Sequence, residues 1–209
     1  MSKNLLKNEI KILEKRVSDA LKAKDNLQKY LKHNNDVAKI EEVVSGEVFF
    51  EVMKFYTAQR KAPAFERFLS HKFDWVRIPA SEDRGDFLTE GGYIELKTSF
   101  SNEAMKLNLR QIRQWQDIDK YLCIFIDDKN NQKQSVVFEL TKEEMQSEIE
   151  IMGGFTHGTK TINNQNEHNE YSITLSLAAN NQHYQRWIKN YSNPKMLKQI
   201  LSGVKSEFR

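Results

Sequence analysis

The sequence predicts an α/β fold: a central mixed β-sheet flanked by helices, preceded by an N-terminal helical segment of coiled-coil character. Three observations carry that prediction. Residues 1–33 show a heptad-like apolar stripe, short runs of alternating apolar residues begin after Asp74, and capped helical periods separate and follow those runs. A chain of 209 residues with 39% hydrophobic residues and 22 aromatics can bury a sizeable core, which argues against disorder.

The N-terminal stripe comprises Leu6, Ile10, Leu13, Val17 and Ala20, and it resumes at Leu27 and Leu31, with Lys24 at the seam position between them. Such a stripe packs against a second copy or folds back on the next helix, and both alternatives stand. His33-Asn34-Asn35-Asp36 reads as a stop and restart before a helix over about 37–60. Residues 1–33 are therefore read as one segment and 34–209 as a single domain. Ala62-Pro63 opens a short helix, 64 to about 72. Strands are predicted at Trp75–Ile78, Asp86–Leu88, Tyr93–Ser99, Tyr121–Asp127, Ser135–Leu140 and Tyr171–Leu177. Met105, Leu109, Ile112 and Trp115 predict a helix over about 102–116. Thr141 with Glu144 forms a capping box for a helix to about Glu150, and Pro194 divides a C-terminal helical region in two.

Charge is unevenly spread. Net charge is +3, but residues 1–33 carry nine Lys/Arg against four acids and residues 181–209 six against one, so each end is +5 and the middle is −7. Basic ends suit a polyanion partner or simply solvated helix faces. No apolar run approaches the ~18 residues that cross a bilayer, and no apolar segment follows a basic start, so neither a membrane span nor a secretory leader is expected. The one cysteine, Cys123, excludes an intramolecular disulfide and a cysteine zinc site. The expected location is cytoplasmic. The five histidines do not cluster, and no phosphate-binding or dinucleotide-binding glycine motif is present, so no nucleotide cofactor is expected.

The chemistry lies in Gly85-Asp86-Phe87-Leu88, a Gly91-Gly92 turn, and Tyr93-Ile94-Glu95-Leu96-Lys97-Thr98-Ser99. On the second strand Ile94, Leu96 and Thr98 face one way and Glu95, Lys97 and Ser99 the other, while the turn can fold Asp86 back against them. Two carboxylates beside a lysine suit a phosphodiester. The acids can hold Mg²⁺ through oxygen, and the ammonium can stand near the attacking water and the developing charge.

Asp86 followed across a turn by Glu95-Leu96-Lys97 resembles the PD-(D/E)xK nuclease superfamily, typified by type II restriction endonucleases. The resemblance covers about residues 60–140. It implies a restriction-endonuclease-like core running helix, Asp strand, ExK strand, helix, strand, which the predicted order matches. It further implies Asp86 and Glu95 as metal ligands for Mg²⁺, Lys97 as the residue that activates or positions water, and Glu66 as a secondary acid on the preceding helix. Gly85 stands where the family name places proline, and Asp83 is an alternative first acid.

Lys106, Arg110 and Arg113 share a second face of the 102–116 helix, flanked by Gln111 and Gln114; this face is read as solvated or as touching phosphates and base edges. Thr156–Lys160, with His157 and Lys160, and the Asn/Gln-rich loop 163–169 suit base-edge reading or an ordinary surface loop. The expected function is thus a Mg²⁺-dependent, sequence-specific endonuclease of double-stranded DNA, acting as a homodimer whose two-fold matches that of its site. A repair or junction-cleaving nuclease of the same superfamily and a non-catalytic DNA-binding coiled-coil protein are the alternatives.

Overall fold

The computed structural model describes residues 49–50, 53–54, 56–100, 105–127, 134–156 and 170–202. The N-terminal heptads, most of the helix expected over 37–60, His157, Lys160 and the loop 163–169 lie outside the described residues.

Helix α1, Ala58–Phe73, starts earlier than Pro63 suggests and carries that proline inside. Pro63 faces solvent, so its missing N–H leaves one carbonyl of an exposed first turn without a helical partner. The opposite stripe, Ala64, Phe65, Phe68 and Leu69, is fully buried and drives the helix onto the sheet. Asp74 ends α1 in the left-handed conformation, and Trp75 N–H returns to the Ser70 carbonyl.

Strands β1 (Val76–Arg77), β2 (Phe87–Thr89) and β3 (Gly92–Phe100) form an antiparallel meander. Strand β5 (Lys120–Ile126) lies parallel to β3, and β6 (Val136–Thr141) returns antiparallel to β5. The sheet order is β1-β2-β3-β5-β6, a mixed sheet as expected. Helix α2 (Lys142–Ile151) opens with the expected capping box: Glu144 N–H donates to Thr141 Oγ1 and Thr141 N–H to Glu144 Oε2. Helices α3 (Gln182–Tyr191) and α4 (Pro194–Leu201) are capped by Asn181 and Asn193, and Pro194 opens α4 where its missing N–H costs nothing. The joint between them pairs with β6 through Asn193 N–H to the Val137 carbonyl, which covers that sheet edge.

One expectation is overturned. Residues 106–113 are not a helix but strand β4 (Lys106–Arg113), which joins β8 (Glu170–Ser176) and the short β7 (Phe155–Thr156) in a second sheet of order β4-β8-β7. The helix reading rested on Met105, Leu109, Ile112 and Trp115, and its central pair is Leu109 and Ile112, three apart. They are inward residues on either side of a β-bulge, which inserts a residue between them and imitates a helical spacing. Leu107 and Leu109, two apart and both fully buried, keep the strand period.

Two cores result. On one face of the first sheet, Ile94, Leu96, Leu122, Ile124 and Ile126 pack under α1, α4 and the stacked Phe49 and Phe68 rings. On the other, Tyr121, Cys123, Phe125, Phe138 and Leu140 meet the second sheet and helices α2 and α3. So only one face of the central sheet is covered by helices alone. Among the described residues no helix is long and apolar enough to cross a membrane.

Candidate active site

Strands β2 and β3 are joined by the tight turn Glu90-Gly91, with Thr89 opposite Gly92. Gly92 has φ 99°, and a Cβ there would stand 2.0 Å from the Asp119 carboxylate, which accepts Tyr93 N–H at 2.7 Å. The β2–β3 ladder ends where Asp86 N–H meets the Ile94 carbonyl at 2.8 Å. Beyond it Leu96 N–H has no strand neighbour on that side, and Asp86 Oδ2 accepts it at 2.8 Å. A carboxylate thereby takes the place of the next ladder bond and is fixed at the fork between the two strands.

Gly85 makes that possible. Its φ is 78°, and a Cβ would lie 2.7 Å from the Ile94 carbonyl oxygen. No proline can adopt this conformation, so the proline that the resemblance would place before Asp86 does not fit here. Asp83, the alternative acid, is exposed, and its main-chain carbonyl accepts Asp117 N–H.

Glu95 and Lys97 share the expected face of β3. Lys97 Nζ donates to Glu95 Oε1 at 2.6 Å, and the two side chains keep only 8% and 11% exposure for Glu95 and Lys97 respectively. Lys97 also donates to the Gln111 main-chain carbonyl at 2.8 Å, a partner with no counterpart in the sequence reading. Beneath them on the same face lie Tyr121 and Cys123, register partners of Glu95 and Lys97. Burial pushes the Cys123 thiol up to about 12, the nearby Lys97 only partly offsetting it. This cysteine is a packing residue rather than a nucleophile.

The electrostatics single out Asp86. Burial first, then Glu95 and more weakly Glu66, push its carboxyl up to about 7, against the Leu96 amide and Lys97. Glu95 and Glu66 therefore both act on Asp86, although Glu66 itself is engaged by Arg77 at 3.0 Å. Among the described residues no group of three or more His, Cys, Asp and Glu side chains is placed to hold a metal by itself. The donor set still suits Mg²⁺, which takes one or two carboxylates and completes its octahedron with water and substrate phosphate. Hard oxygen donors whose charges crowd one another are what a divalent cation would relieve.

The residues expected to contact DNA separate. Lys106 and Arg110 are exposed on β4, but on a strand rather than a helix face. Arg113 is paired with Glu170 at 2.7 Å and lies over Trp115. Gln114 is partly buried, and its amide nitrogen has no hydrogen-bond partner among the described residues. A cavity of about 560 Å³ lined by Trp75, Leu88, Ile94 and Leu122 opens on the opposite sheet face from Glu95 and Lys97, and it is not part of this cluster. No protein-family model matches the chain, and a comparison with curated proteins finds no match.

Proposed function

We propose that the chain is a Mg²⁺-dependent endonuclease of double-stranded DNA with a PD-(D/E)xK active site, cutting at specific sequences in the manner of type II restriction enzymes. The observation that carries this reading is Asp86 anchored at the β2–β3 fork by the Leu96 amide, beside the buried Glu95–Lys97 pair. The order of elements supports it: a helix with Glu66, the Asp86 strand, the Glu95–Lys97 strand, then a strand parallel to it. The strand crossover between β3 and β5 is where the chain departs from the superfamily pattern.

In this reading Asp86 and Glu95 hold the cation. When bound, it would polarise the phosphoryl oxygen and lower the pKa of its water. Lys97, fixed by two acceptors, orients the water that attacks phosphorus and balances charge as the P–O3′ bond breaks; the attacking water gives up its proton to solvent and the leaving oxygen takes one from solvent. Glu66 adds negative charge at the rim and holds Arg77. Exposed Lys106 and Arg110 supply phosphate contacts. A homodimer supplies the second site needed for a cut in both strands.

The test is cleavage of supercoiled plasmid by the full chain with Mg²⁺, with Ca²⁺ and with chelator, followed by sequencing of the ends. A fixed sequence at the ends supports the restriction reading. Cleavage confined to branched or damaged DNA supports the repair alternative. No cleavage of plasmid, linear or junction DNA in Mg²⁺ or Mn²⁺ refutes the nuclease reading.

A further inference from the structure

Strand β4 is the edge of the second sheet, and its free edge lies against the face of the first. Three side chains of that face close it. Ser99 Oγ donates to the Lys106 carbonyl at 3.2 Å, Lys97 Nζ to the Gln111 carbonyl at 2.8 Å and Tyr121 OH to the Arg113 carbonyl at 3.2 Å. In a regular strand, carbonyls pointing to one edge come from residues of one parity. Here the parity changes from Lys106 to Gln111 and Arg113, and the β4–β8 register shifts between Leu109 and Ile112. The bulge therefore turns the Gln111 carbonyl out of the β8 ladder and towards Lys97. Gln111 holds φ 52°, an uncommon conformation for a residue with a Cβ, while its own side chain is exposed. Strain at a bulge with no buried side chain to explain it belongs to the carbonyl the bulge aims.

Resting on the nuclease reading of this site, we propose that Gln111 is a positioning residue: its main-chain carbonyl, aimed by the β4 bulge, holds the Lys97 ammonium in the catalytic site. Glu95 is asked to serve two partners, the lysine and the cation. A neutral carbonyl keeps the lysine in place when Glu95 turns to the cation, and it adds no charge that would compete for that cation. The crossover strand, which departs from the superfamily's helix, thereby completes the site.

The experiment uses the full chain and two readouts. One is the rate at which acetic anhydride acetylates Lys97, followed by peptide mass spectrometry against exposed Lys189. The other is the split of kcat and KM on plasmid DNA in Mg²⁺. In the wild type Lys97 should label at least about tenfold more slowly than Lys189, since reaction waits on opening of a closed site. Gln111→Val disfavours the left-handed bulge and should speed Lys97 labelling severalfold. It should lower kcat about tenfold with KM within about twofold, because the lysine is misplaced while DNA contacts persist. Gln111→Gly keeps the conformation and should recover most of both losses. Wild-type Lys97 labelling as fast as Lys189, a result that needs no variant to fold, overturns the proposal. So does Gln111→Val with wild-type labelling and wild-type kcat. If the wild type cuts no DNA while labelling follows the expected pattern, the nuclease reading fails and the carbonyl's hold on Lys97 stands.

Discussion

Carboxylates in two regions of this protein are provided for in opposite ways. Glu148 on α2 is only 1% exposed, yet α3 brings it a full set of donors: Arg186 through Nε and Nη2, Trp187 Nε1 at 2.7 Å and Tyr191 OH at 3.1 Å. Burial pushes its carboxyl up, but those donors outweigh burial and hold it below the ordinary value. Asp86 takes one main-chain N–H, Glu95 shares one lysine, and burial with the neighbouring acids pushes Asp86 to about 7. The structural acid brings its partners with it. The candidate catalytic acids leave a deficit of positive charge that an added cation would fill. Oversupplied and undersupplied carboxylates thus stand in one chain, and the undersupplied set is the candidate site.

The largest effect that tests this contrast comes from Glu148. Glu148→Ala strands four donor groups on three residues and should cost about 3 kcal/mol, lowering Tm by about 6–12 °C for a chain of this length. Any cleavage activity should survive below that lowered Tm. Glu95→Gln should do the reverse, removing at least about a hundredfold of kcat with a much smaller change in Tm. Thermal melting and plasmid cleavage on the same two proteins decide it. A Glu148→Ala protein as stable as the wild type, or a Glu95→Gln protein that melts lower than Glu148→Ala, would break the comparison.

A smaller effect concerns how Asp86 is held. Gly85→Ala places a Cβ 2.7 Å from the Ile94 carbonyl at φ 78° and should cost about 1–2 kcal/mol in backbone strain. Because Asp86 N–H and the Leu96 amide share that fork, cleavage should fall as well, and more than Tm does. Urea melts and initial rates measured together check this. Unchanged activity would show that the fork tolerates movement of Asp86.

The candidate site was legible because its parts are local. Asp86, the turn, Glu95 and Lys97 lie within twelve residues, and period-two alternation places them without knowledge of the rest of the chain. Capping at Thr141 and the break at Pro194 were legible for the same reason. Strand β4 was not, because a bulge makes Leu109 and Ile112 look like one helix face. Nor was the carbonyl of Gln111, since main-chain groups leave no mark on residue identity. The Arg113–Glu170 ion pair was not legible, because Glu170 is 57 residues away and meets Arg113 only across the β4–β8 ladder.

An effect of similar size, present only at one end of the pH range, has the most particular signature: a dependence on pH of opposite sign at Asp86 and Glu148. Asp86 in the folded chain titrates near 7, above its ordinary 3.8, so the folded state binds its proton more tightly than the unfolded chain does. Its contribution to stability is therefore fully present below about pH 4. It is lost as pH rises towards 7 and stays lost above. Asp86→Asn keeps an oxygen for the Leu96 amide and removes the charge. It should leave Tm near the wild-type value at pH 4 and raise stability by on the order of 1–2 kcal/mol at pH 8, less than the linkage limit because water reaches the half-buried group. Glu148 runs the other way. Its lowered carboxyl contributes stability above the ordinary carboxylate range and loses it as pH falls through the folded value. Melting curves from pH 4 to pH 8 should show the Asp86→Asn and wild-type proteins diverging as pH rises. Addition of Mg²⁺ at pH 8 should close the gap by stabilising the wild type alone. Parallel curves across that range would mean that Asp86 is not crowded by its neighbours, and the undersupplied half of the comparison would be lost.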